Sequence, residues 1–119
     1  MITKSFSVVA RIRPLNEKEK IAFQQSDSKN RSSIISCQDN LIHVLNPEVD
    51  LNSKQKVFYL DSIFEEDSTN EQIYSIVGSK IISEVLNGFN YTIFAYGMTG
   101  AGKSYTIFGN DSHHGLVSL

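Results

Sequence analysis

The 119-residue chain has a single cysteine, Cys37. It can form no intramolecular disulfide and no zinc quartet, which suits a reducing compartment; Cys37 itself reads as a small half-buried hydrophobe. Apolar runs are short. None approaches membrane-spanning length, and Met1 to Arg13 lacks the pattern of a signal peptide, so the expected setting is cytoplasmic with no membrane partner. Charge is not one-sided either. Eleven basic residues against thirteen acidic ones leave a net charge of −2, and a pI near 5.9 argues against a broadly nucleic-acid-binding surface. There are no internal repeats and no low-complexity tract. Apolar and charged fractions are otherwise those of an ordinary globular protein. Glycine is also sparse, seven in all, yet Gly97, Gly100 and Gly102 fall within one short stretch.

That stretch, Gly97-Met98-Thr99-Gly100-Ala101-Gly102-Lys103-Ser104, fits the phosphate-binding pattern G-x-x-x-x-G-K-[ST] without a mismatch. Average residue usage would produce such a match by accident on the order of once in a few hundred chains of this size. The spacing has a chemical reason. A nucleoside triphosphate brings several anionic oxygens together, and glycines let backbone N–H groups wrap them with no Cβ in between. Lys103 supplies a flexible point charge for the β- and γ-phosphates, and the Ser104 hydroxyl is a candidate ligand of Mg²⁺. A helix starting at Lys103, interrupted early by Gly109, would turn its positive end toward the same anion. Asn90 to Tyr96, rich in β-branched and aromatic residues, reads as the buried strand that leads into the loop.

The rest of the chain alternates strands and helix. Ser5 to Ile12 reads as a strand closed by Arg13-Pro14, since proline cannot donate to a ladder. Asn16 to Asn30 is polar and reads as a surface excursion. Ile34 to Leu45 alternates weakly, like short strands of a small sheet, and Asn46-Pro47 is a turn signal. Lys56 to Phe64 is another strand region. Ser68-Thr69-Asn70-Glu71 matches a capping box with Ser68 and Glu71 as its reciprocal partners. Behind it, Ile73, Ile76, Val77, Ile81 and Val85 recur at helical spacing, widened by Ile82 and Leu86, and Asn87-Gly88 is a natural stop. The pattern is α/β or α+β. Three features are read as structural: Lys80 and Glu84 as a solvated pair, Asp61 as a strand-end residue rather than a metal ligand, and His113-His114 as loop.

Four segments in order carry a family resemblance. Tyr91 to Thr106 resembles the phosphate-loop segment of a kinesin motor domain. Val8 to Asn16, with Arg11, Arg13 and Pro14, resembles the first strand and the R-x-R-P motif. Val57 to Phe64 resembles the F-x-F-D-x-V-F segment, and Glu71 to Tyr74 the start of the helix before the phosphate-loop strand. Myosins share a G-x-x-G-A-G-K loop, but the Arg-x-Arg-Pro strand and the Phe94-Ala95-Tyr96-Gly97 lead-in favour kinesins. The resemblance spans nearly the whole chain. It implies a phosphate-loop NTPase fold with a central sheet flanked by helices, of which residues 1–119 are an N-terminal portion, incomplete at the C-terminus.

By that resemblance Arg11, Arg13 and Pro14 face the adenine of ATP, and Tyr105 packs on the base; flat guanidinium, proline and phenol surfaces suit a purine. Gly97, Met98, Thr99, Gly100, Ala101, Gly102, Lys103 and Ser104 take the phosphates, with Ser104 on Mg²⁺. Met98 stands where a glutamine is common, a small departure because backbone N–H groups do most of the phosphate work. The implied activity of the full domain is ATP hydrolysis coupled to movement on microtubules, as part of the cytoskeleton. The family's N-x-x-S-S-R-S-H and D-x-A-G-S-E segments follow the phosphate loop and do not occur in this sequence, nor do the tubulin-binding regions. Gly115 to Leu119 resembles the G-I-I-P-R start, with Ser118 and Leu119 replacing proline and arginine. The expectation is therefore that residues 1–119 alone do not hydrolyse ATP measurably, and that Tyr91 to Tyr96 presents an unpaired apolar edge. The alternatives are a non-catalytic nucleotide-binding or interaction fragment functional at this length, and a phosphate-loop NTPase outside the cytoskeletal motors.

Overall fold

The computed structural model describes residues 6–25, 35–44 and 55–119; the turn signal at Asn46-Pro47 lies outside them. The chain forms two compact units, Met1–Glu66 and Asp67–Leu119.

In the first unit, β1 (Val9–Arg11) pairs in parallel with β5 (Ser62–Phe64), Ala10 opposite Ile63. The bond from Ile12 N–H to the Phe64 carbonyl, 2.8 Å, extends this ladder to the residue before the Arg13-Pro14 break. Asp61 locks the opposite end. Its carboxylate accepts from Val8 N–H at 2.7 Å, while its own N–H donates to the Val8 carbonyl at 2.9 Å. This is the structural role expected of it, and it explains an acidic residue at the end of an apolar run.

Between these strands, β2 (Ile35–Gln38), β3 (Leu41–Val44) and β4 (Lys56–Tyr59) form an antiparallel meander. Gln38 pairs directly with Leu41, so Asp39-Asn40 is a two-residue hairpin turn. Asp39 takes a positive φ of 53°, which aspartate tolerates better than most residues because its short side chain can bond locally. Cys37 on β2 is half-buried, and burial, with Glu65 second, raises its thiol pKa. That is the opposite of an activated nucleophile.

The polar stretch after Asn16 is not a loop but begins a helix, α1 (Glu17–Gln25). Asn16 and Glu19 explain it: Glu19 N–H donates to Asn16 Oδ1 and Asn16 N–H to Glu19 Oε2, both at 2.8 Å. This reciprocal box satisfies two donors that a helix start leaves free.

The second unit opens with α2 (Asn70–Ile73), a π turn (Tyr74–Gly78) and α3 (Ser79–Leu86) in continuous succession. The capping box is present but one residue later than the sequence pattern suggests. Thr69 Oγ1 accepts from Gln72 N–H at 3.3 Å, and Gln72 Oε1 accepts from Thr69 N–H at 2.8 Å. The string Ser68 to Gln72 offers both frames; burial of Asn70 selects the second. The helix stops as expected, in a Schellman motif: Gly88, at φ 89°, donates to the Val85 carbonyl and Phe89 N–H to the Glu84 carbonyl.

The π turn alters the expected apolar stripe. It adds a residue to one turn and rotates the face behind it. Ile73 is buried and Val77 and Ile81 are half-buried, whereas Ile76, Ile82, Val85 and Leu86 are exposed. Gly78 sits where the Tyr74 ring passes; a Cβ there would lie 2.3 Å from Tyr74 Cδ2.

Tyr91 to Tyr96 departs from the buried strand expected of it. Among the described residues it joins no ladder, and Phe94 and Tyr96 are 70% and 96% exposed. A segment apolar on both faces needs neighbours at both edges and on both faces to become a buried strand, and the second unit contains no other strand among its described residues. The unpaired apolar edge is as anticipated.

Candidate nucleotide-binding site

Residues 97–105 form one continuous loop and helix start. Gly100 and Gly102 have φ of 81° and 91°, conformations that cost a Cβ-bearing residue steric strain. Space around Gly100 is open: an added Cβ would meet nothing within 4 Å. A turn from Ala101 N–H to the Met98 carbonyl, 3.1 Å, tightens the loop. Lys103 spans it. Its Nζ donates to the carbonyls of Gly97 at 2.8 Å and Met98 at 2.7 Å, so the ammonium is fixed against the first two residues of the motif. Among the described residues, no intramolecular acceptor is found for the N–H groups of Gly100, Gly102, Lys103 and Ser104. The loop thus offers successive donors, a positioned cation and an exposed Ser104 hydroxyl, the donor set that a chelated triphosphate and Mg²⁺ require.

The helix α4 (Lys103–Phe108) carries Tyr105 and ends at Gly109, as expected. Its last turn is closed from outside. Leu116 and Val117 N–H groups donate to the carbonyls of Thr106 and Ile107, each at 3.0 Å. The chain between doubles back so tightly that a Cβ on Gly115 would lie 2.3 Å from the Phe108 carbonyl carbon. His113 and His114 are part of this loop, and no cluster of three or more metal-ligating side chains exists among the described residues.

Arg11, Arg13 and Pro14 belong to the first unit, at the end of β1. Arg11 is half-buried on the strand. Arg13 is anchored twice: Nη2 donates to Glu19 Oε1 at 2.7 Å and Nη1 to the Pro14 carbonyl at 3.0 Å. The hydrogen bond from Arg13, then that from Asn16 N–H, holds the Glu19 carboxyl below its ordinary range; the same bond to Glu19 raises Arg13 further above its own. Glu19 was hidden in the polar stretch. The Asn16-x-x-Glu19 spacing, the same logic as the box before α2, is the signal that marks it.

The profile of the kinesin motor domain matches residues 11–119. This chain belongs to the kinesin motor domain family. It is 38% identical over 117 residues to the human kinesin-like protein KIF24, covering 94% of this chain and 8% of that one. It is 34% identical over 117 residues to the Arabidopsis thaliana kinesin-like protein KIN-8B, covering 98% and 14%. A solved kinesin structure, KIF14[391-755] with ADP in complex with a microtubule, superposes with a TM-score of 0.75 at 26% identity. The match covers 92% of this chain and 29% of that one. The kinesin-type α/β fold is therefore established, and the chain spans a small part of the length of these kinesins. No helix among the described residues is long and apolar enough to cross a membrane.

Proposed function

We propose that residues 1–119 are the ATP-binding portion of a kinesin-like microtubule motor. The observation that carries this is the loop 97–104: Lys103 fixed on the Gly97 and Met98 carbonyls, beside consecutive N–H groups without an internal acceptor among the described residues. In this reading those N–H groups receive the phosphate oxygens, Lys103 neutralises the β- and γ-phosphates, and Ser104 holds Mg²⁺. When bound, the Mg²⁺ ion supplies charge stabilisation to the transferring phosphoryl group. Arg11, Arg13, Pro14 and Tyr105 offer flat surfaces to adenine. The Arg13–Glu19 pair supports that role, since a guanidinium held at two points presents its plane with less loss of side-chain freedom.

Phosphoryl transfer needs a positioned water and a group that senses the γ-phosphate. In kinesins the N-x-x-S-S-R-S-H and D-x-A-G-S-E segments provide them, and residues 1–119 contain neither. The stretch by itself therefore binds without turning over, and movement belongs to a protein that also carries those segments, acting on microtubules in the cytoplasm. The test is pelleting of the native protein with microtubules, followed with an antibody to this chain. Retention with a non-hydrolysable ATP analogue and release by ATP, both lost in Lys103→Ala, is the expected result. Pelleting that ignores nucleotide, or no pelleting, would overturn the motor reading.

A further inference from the structure

Asn70, the first residue of α2, is the fully buried polar side chain of the second unit, 1% exposed. Neither the phosphate-loop motif nor the helical stripe gives it a task. Its Nδ2 donates to two backbone carbonyls, Tyr105 at 3.1 Å and His114 at 2.7 Å. Both amide protons are therefore used, as burial demands. The two carbonyls lie on opposite limbs of the turn after α4, so one side chain ties the helix to the returning chain.

This matters because α4 is six residues long, too short to hold its shape alone. Its two ends are held by different means. At the loop end, Lys103 grips Gly97 and Met98, and Ala101 turns back to Met98. At the Tyr105 end, the Tyr105 carbonyl takes Asn70 as well as Gly109 N–H at 2.9 Å. The Tyr105 ring meets the His113 ring edge-on, centroids 6.2 Å apart at 67°. Lys103 and Ala101 hold the loop end and Asn70 and Gly109 the Tyr105 carbonyl, while Thr106, which donates from N–H and Oγ1 to the Gly102 carbonyl at 2.9 and 3.0 Å, joins the two.

The geometry points to Asn70 as a positioning residue for base recognition: it fixes Tyr105, and through the turn at His114 the His113 ring beside it, without shaping the phosphate cradle. This rests on the reading of the loop as a nucleotide site with Tyr105 at the base. A residue that merely stabilised the unit would affect every ligand of the loop alike; Asn70 should affect only ligands that carry a base.

The experiment titrates the full chain, wild type and Asn70→Ala, with Mg-ATP and with Mg-tripolyphosphate, the same anion class without base or sugar. Asn70→Ala is expected to weaken Mg-ATP about tenfold, the scale of lost base–aromatic stacking, and Mg-tripolyphosphate by less than about twofold. Equal losses for both ligands, or no loss for Mg-ATP, would overturn the assignment. Absence of binding by the wild-type chain would overturn the nucleotide reading, and this inference with it. Should Asn70→Ala not fold, the side-chain amide resonances of Asn70 in the wild type decide. They are expected to shift on adding Mg-ATP and to hold still with Mg-tripolyphosphate; no shift with Mg-ATP overturns the proposal.

Discussion

At the scale of single residues, three side chains in the two units grip backbone. Lys103 binds two carbonyls of its own loop, Asn70 two carbonyls around α4, and Arg13 the Pro14 carbonyl together with Glu19. The last of these titrates. Because the folded-state pKa of Glu19 is lowered, its contribution is present above the ordinary glutamate value of about 4.3 and is lost as pH falls through its lower folded value. Acid titration followed by NMR of the α1 backbone amides is therefore expected to show the helix start loosening only as pH falls below the ordinary glutamate range. Glu19→Gln should remove that step and loosen α1 at neutral pH as well. An unchanged titration in the variant would mean that another group carries it. Sequence made the phosphate loop legible at this scale because its chemistry is local and its spacing strict. Asn70 was opaque for the opposite reason: its partners lie 35 and 44 residues away, and no short-range pattern encodes such contacts.

At the scale of elements, local chemistry set the ends and tertiary contacts set the phase. The Asn87-Gly88 stop and the Gly109 break stand where the sequence puts them, since each depends on a glycine at its own position. The frame of the box before α2 does not follow from the string itself. Thr69→Ala is expected to cost about 1 kcal/mol of stability, the usual loss of an N-cap oxygen, and Ser68→Ala distinctly less. Chemical denaturation of the two variants measures this, and the reverse order would contradict the observed frame. The π turn was likewise unreadable from periodicity. It coincides with the Tyr74 ring lying over Gly78, where an added Cβ would come within 2.3 Å of Tyr74 Cδ2, and the apolar stripe behind it is partly exposed. The helix α1 is the contrary case: a weakly amphipathic segment whose existence is decided by Asn16, Glu19 and Arg13 rather than by an apolar face.

At the scale of the whole molecule, the chain holds part of a kinesin fold in which, among the described residues, the segment before the phosphate loop has no pairing partner. Ile93, Phe94, Tyr96 and Met98 are all exposed, on a stretch whose composition is that of a strand buried on both faces. Its strand-like composition was legible in the sequence, but the segment forms no strand, because among the described residues it has no pairing partner. The same division applies to the proposed chemistry: in that reading the triphosphate is held by residues between Gly97 and Tyr105, and the kinesin segments N-x-x-S-S-R-S-H and D-x-A-G-S-E do not occur among residues 1–119. The most direct measurement is equilibrium binding of Mg-ATP to the 119-residue chain, beside Lys103→Ala, with phosphate release followed in the same samples. Saturable one-to-one binding, weakened on the order of a hundredfold or more by loss of the charge-assisted phosphate contacts of Lys103 and accompanied by no release, is the predicted result. Binding indifferent to Lys103, no binding, or turnover abolished by Lys103→Ala would contradict the account.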